Sequence, residues 1–180
     1  AQNYVKQVGQ KLVQSTDAAR SPYKFDFHLL ADDQTVNAFA LPGGQIFITV
    51  ALLSRLTSED ELAGVLGHEI GHVIGRHSAE HMAQSELMQG LVQATQVATY
   101  DPNNPMGSAQ IAQYVGQMIN MKYGREDELE SDKFGVKYMY QASYNPEALI
   151  KVMEILKQAS GGGQRDEFMS SHPSPDNRME

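Results

Sequence analysis

From Glu59 to Gly75 the chain reads as one helix whose surface is apolar almost all the way round, except at His68, Glu69 and His72. Leu62, Ala63, Val65, Leu66, Ile70, Val73 and Ile74 occupy the other positions, and a helix of that kind must lie in the centre of a fold. Its start is marked by a capping box, Ser58 with Glu61, and by Glu59, Asp60 and Glu61 at the positive end of the helix dipole. Any fold for this chain has to enclose this helix and leave its polar cluster usable. Gly64, Gly67, Gly71 and Gly75 recur along the same helix. Each costs about 1 kcal/mol relative to alanine in a helix interior, so the stripe predicts close approach by another backbone.

Around this element the periodicity predicts an α+β, mainly helical chain organised as a single domain over 1–180. Tyr4, Val5, Val8, Leu12 and Val13 fall at helical spacing and predict a first helix to about Ser15. Phe25, Phe27 and Leu29 then alternate with polar residues, which predicts a half-buried strand. Thr35–Leu41 and Gln45–Val50 predict two more strands, joined by a tight turn at Pro42-Gly43-Gly44. The economical arrangement is a small antiparallel sheet, a meander, beside the central helix. Further helices are predicted at about Ser78–Thr99, Ser108–Tyr123 and Arg125–Ala142, and from the Asn145-Pro146 cap to about Ala159. After Gly161-Gly162-Gly163, residues 160–180 are expected to form a flexible C-terminal segment.

His68-Glu69-Ile70-Gly71-His72 gives the central helix its chemistry. Residues four apart share a helix face, so two imidazoles converge on one point with a carboxylate beside them. That arrangement suits one zinc ion per chain, with Glu69 placed to take a proton from an attacking water. The chain has no cysteine, so every ligand must be His, Asp or Glu. A third ligand is required. A histidine following in the pattern His-Glu-x-x-His-x-x-Gly-x-x-His would supply it, and Gly75 fits, but the final position holds Ser78. His77 falls one residue early, a rotation of about 100° on a helix, and reads as a surface or packing histidine. His77 and His81 read as an exposed pair. Acids in Arg125–Asp132 are the other source: Glu128 with Asp132 one turn on, or Glu126 with Glu130. His172, Tyr144 and Arg178 qualify by chemistry as donors to a developing oxyanion. His172 could instead swing in and fill the open metal position.

Net charge is −8 with no basic block, which argues against nucleic acid and anionic membrane surfaces as partners. The longest apolar run, Ile46 to Leu53, falls far short of the ~18 residues a membrane span needs. The chain opens at Ala1 without methionine and is read as a processed form.

Val36-Asn37-Ala38-Phe39-Ala40-Leu41-Pro42-Gly43-Gly44, the segment His68 to His72, Arg125-x-x-Glu128-x-Glu130-x-Asp132 and His172-Pro173 together carry a resemblance. The chain resembles the HtpX and CAAX-prenyl-protease (Ste-type) family of zinc metalloendopeptidases, in particular its soluble bacterial-envelope branch of BepA-like proteins. The resemblance implies a gluzincin-like fold, Glu128 as third ligand and Asp132 as its support. Ser131, where the family usually has alanine, is a departure. It also implies polypeptide substrates, unfolded or misassembled, in the bacterial envelope or periplasm, with any lipid or membrane anchor lying outside these residues. The strand segment Gln45, Ile46, Phe47, Ile48 and Thr49 is expected to offer an exposed edge to an extended substrate, with Arg178 nearby. A competing reading is a non-catalytic or latent metal-binding assembly or chaperone factor. The intact Glu69 weighs against it, because a structural site has no use for a general base.

Overall fold

The computed structural model describes residues 1–98, 123–160 and 172. Two compact units are distinguished, Ala1–Ser78 with Tyr123–Glu180, and Ala79–Lys122. The first unit begins with helix α1 (Gln2–Gln14), a 3-10 turn (Asp17–Arg20), and strands β1 (Asp26–Leu30), β2 (Ala38–Leu41) and β3 (Gln45–Thr49). Helices α2 (Val50–Leu53) and α3 (Glu59–Ile74) follow, with α5 (Arg125–Gln141) and α6 (Ala148–Ser160) closing the unit. Helix α4 (His77–Ala98) supplies the described part of the second unit from Ala79 onward. The helix predicted at Ser108–Tyr123 lies outside the described residues except for Tyr123, and so does the glycine joint. Among the described residues the chain is mainly helical with one small sheet, as expected.

The sheet differs from the expected meander. Its order is β1-β3-β2: β2 and β3 form an antiparallel hairpin, but β1 runs parallel to β3. The hairpin is local, because Gly43 and Gly44 take φ of 93° and 106°, left-handed values that only glycine adopts cheaply. The β1 pairing is set by packing. Phe27 of β1 and Ile46 and Ile48 of β3 are buried with Val5, Val8 and Leu12 of α1. Gly9 leaves room for the Phe27 ring, which would lie 2.4 Å from a Cβ there. Gln2 closes the outer edge of β1: its amide donates to the Phe27 carbonyl (2.9 Å) and accepts from the Leu29 N–H (2.7 Å). The side chains on the opposite face stack as His28–Phe47–Phe39, with ring centroids 4.8 and 5.0 Å apart.

Every residue of α3 from Glu61 to Val73 is buried. Ser58 accepts from the Glu61 N–H (3.2 Å), and the Glu61 carboxylate reaches back to the Thr57 N–H (2.6 Å), one residue before the cap. Helix α5 is its principal neighbour, with α1, α6 and β2 also against it. The glycine stripe is where these helices meet. Gly67 lies against Gly135 of α5, and a Cβ at Gly71 would come within 2.7 Å of the Ser131 carbonyl and hydroxyl oxygens. The Ser131 hydroxyl donates to the His68 carbonyl (2.5 Å), which ties the two helices together at the motif. Gly64 is different, since a Cβ there would make ordinary contact at 3.5 Å with Leu149. Gly71→Ala is therefore expected to lower stability by about 1–3 kcal/mol through overpacking. Gly64→Ala should be neutral or gain up to about 1 kcal/mol from helix propensity. Urea unfolding of the two variants checks the pair; equal effects would contradict this packing.

Candidate metal centre

The geometry of α3 and α5 brings four side chains to one point. His68 and His72 sit one turn apart on α3, and Glu128 projects from the first turn of α5 across the glycine contact. That first turn is secured by Asp127, whose carboxylate accepts from the Gly124 N–H (2.9 Å). His172 joins them from the C-terminal segment, and all four are buried. One nitrogen or oxygen from each lies within 4.8 Å of the others. His68 Nε2 is 3.0 Å from His72 Nε2 and 3.6 Å from Glu128 Oε2, and His72 Nε2 is 3.2 Å from Glu128 Oε1. His172 Nδ1 is 2.7 Å from Glu128 Oε1 and 3.5 Å from His68 Nε2. Donors bound tetrahedrally to one zinc at 2.0–2.1 Å stand about 3.3 Å apart. The four residues have the spacing and chemistry of such a shell.

The outward-facing nitrogens decide which lone pairs point inward. His68 Nδ1–H donates to Asp132 Oδ1 (2.9 Å), which leaves Nε2 to face the cluster. Burial disfavours a charge on His68, but the Asp132 hydrogen bond and the Glu128 and Asp132 charges outweigh it and hold its pKa above the usual value. His72 is pushed down to about 2, by burial first and by its neighbours His68 and His172, so it is a neutral imidazole with a lone pair to offer. Burial raises the pKa of Glu128, yet the hydrogen bond from His172 and the neighbouring His68 and His172 hold it well below the carboxylate range. Glu69 is buried on the same helix, with Oε1 3.8 Å from His172 Nε2.

Other residues singled out in the sequence fall elsewhere. Glu126 and Glu130 are exposed on α5 and contribute no atom to the cluster. Tyr144 lies at the opposite end of α3, where its hydroxyl donates to Glu59 Oε1 (2.8 Å) and its ring carries Lys11 (3.9 Å). Arg178 lies outside the described residues. An edge role for Gln45, Ile46, Phe47, Ile48 and Thr49 is overturned: β3 is the central strand, paired on both sides, with its backbone groups already committed. His77 is not a surface histidine; it is buried, and its ring contacts His72. His81 is half-buried, so the two do not form an exposed pair. Tyr123 was not anticipated. Its ring stacks on His72 (4.4 Å) and its hydroxyl meets Ser78 (2.6 Å), a tertiary contact with no local sequence signature.

The sequence agrees with this geometry. Residues 1–180 match the model of peptidase family M48 along their whole length. The chain belongs to peptidase family M48. Within that family it is 29% identical to the β-barrel assembly-enhancing protease of Yersinia pestis and 28% identical to that of Escherichia coli, each over 98% of this chain. It is 33% identical to the mitochondrial metalloendopeptidase OMA1 of Saccharomyces cerevisiae over 87% of this chain. The chain spans 37% of the length of the bacterial relatives and 46% of the yeast one. No described helix of this M48 chain is long and apolar enough to cross a membrane.

Proposed function

We propose that this M48 chain is a zinc metalloendopeptidase in which His68, His72 and Glu128 hold the metal and Glu69 is the general base. The observation that carries the reading is the buried convergence of those three donors with Glu69 on the same helix. A bound zinc ion would supply Lewis-acid chemistry, acidifying a water and polarising the scissile carbonyl. Glu69 takes the proton from the attacking water and returns it to the leaving amine. Asp132 fixes the orientation and tautomer of His68, as outer carboxylates do for ligand histidines. Burial of Glu69 and Glu128 strengthens these interactions. For the substrate, β2 replaces β3 as the receiving edge. It is the outer strand on the side of α3 among the described residues, and an extended polypeptide would add alongside it.

Kinship with the β-barrel assembly-enhancing proteases supports the soluble envelope branch, with unfolded or misassembled envelope proteins as substrates. With a metal held by the other three residues, His172 would fill the position that a catalytic site leaves for water, and the arrangement would be a resting state. Its presence also favours a second reading, in which four protein ligands make a structural site in an assembly factor. One variant separates them. His172→Ala should retain one zinc and raise the rate of casein cleavage several-fold, whereas the assembly-factor reading predicts bound zinc and no cleavage.

A further inference from the structure

His77 is the buried histidine that the proposed chemistry leaves without a task, and three features of the chain converge on its position. Arg76 takes φ of 64°, a left-handed value that is strained for a non-glycine residue. That turn ends α3 and folds His77 back beneath it. Gly75 clears the space, since a Cβ there would stand 2.4 Å from His77 Nε2 and 2.6 Å from Cε1. The returned ring then meets His72, Nδ1 to Nδ1 at 2.9 Å, while its own Nε2 lies 3.1 Å from Glu130 Oε2.

The directions of these bonds follow from the last acceptor. An ionised carboxylate only accepts, so His77 Nε2 carries the hydrogen and donates to Glu130. His77 Nδ1 is then a lone pair and accepts from His72 Nδ1–H, which leaves His72 Nε2 facing His68 and Glu128. The sequence of contacts is carboxylate, imidazole, imidazole, cluster. It parallels the direct contact of Asp132 on His68, with one ring interposed. We propose that His77, backed by Glu130, is a positioning residue for the metal centre: it fixes the tautomer and ring orientation of His72. The strained turn at Arg76 and the gap at Gly75 are what place it. Groups in this outer position typically carry a factor of about 10–100 in metal affinity.

The inference rests on the metallopeptidase reading, and the test keeps the two apart. Zn2+ affinity is measured by competition with a chromophoric chelator for the wild-type protein, His77→Phe and His77→Asn, together with thermal unfolding of each metal-free form. Phenylalanine keeps the ring and removes the acceptor; asparagine loses the ring and keeps an acceptor oxygen near the position of Nδ1. The expected result is a loss of about 10–100-fold for His77→Phe and recovery to within about threefold of wild type for His77→Asn. A packing role predicts the reverse order, and equal affinity of His77→Phe and wild type would overturn the relay alone. A wild-type protein that holds no Zn2+ overturns the metallopeptidase reading beneath it. Should His77→Phe not fold, Glu130→Ala carries the test at an exposed carboxylate. A loss of at least about threefold supports the relay, and unchanged affinity overturns it.

Discussion

Glu69→Gln is expected to lower the rate of peptide hydrolysis by about 10²–10⁴-fold while leaving bound zinc at one equivalent. The substitution keeps shape, volume and hydrogen-bonding capacity and removes only the ability to take a proton. Glu69 is 1% exposed, and no other carboxylate of the cluster is free to replace it, since Glu128 is engaged with His72 and His172 and Asp132 with His68. Loss of activity with zinc retained separates proton transfer from metal binding. The readout is the cleavage of a fluorogenic peptide set against zinc content in the same preparation. Undiminished cleavage by Glu69→Gln would remove the proposed base.

The second large effect concerns Glu128. Glu128→Ala should weaken zinc binding by more than about 100-fold, beyond what loss of an outer partner produces, and activity should fall with it. Glu126→Ala, and Glu130→Ala at protein concentrations well above the dissociation constant, should still bind one equivalent. The contrast is steep because Glu128 is fully buried among the imidazoles, whereas Glu126 and Glu130 face solvent. Elemental analysis of dialysed protein reads it directly. Retention of zinc by Glu128→Ala would show that two histidines and His172 suffice, and the site would then resemble a structural one.

What was legible in the sequence was local. The central helix announced itself by composition, cap and glycine stripe, because each of those signals acts within a few residues. Its burial followed from the lack of a polar face, and the glycine stripe predicted close approach of another backbone without saying that the backbone would be α5. Strand existence was legible too, from alternation along Phe25–Leu29. Pairing was not. Alternation reveals which face is buried and says nothing of which neighbour is bonded, so β1 was paired through β2 when Phe27, Ile46 and Ile48 place it beside β3. The same gap made Gln45–Thr49 look like an edge.

His77 escaped for a related reason. Counting helical turns puts its side chain 100° away from the ligand position, and that count fails once Arg76 reverses the backbone. Glycine or asparagine at 76 would have signalled the reversal, and arginine does not. Tyr123 reaches the cluster from a position distant in sequence from the motif, where no periodicity connects it, whereas His172, also distant, is a candidate by its chemistry and by the family resemblance.

Anomalous diffraction from crystals of zinc-loaded protein, recorded on both sides of the zinc absorption edge, locates the metal and its ligands. One strong peak is expected within about 2.0–2.2 Å of His68 Nε2, His72 Nε2 and a Glu128 carboxylate oxygen, with Glu69 beside it and not bound. No peak at that point, or a peak coordinated by Glu126 or Glu130 in place of Glu128, would contradict this ligand set.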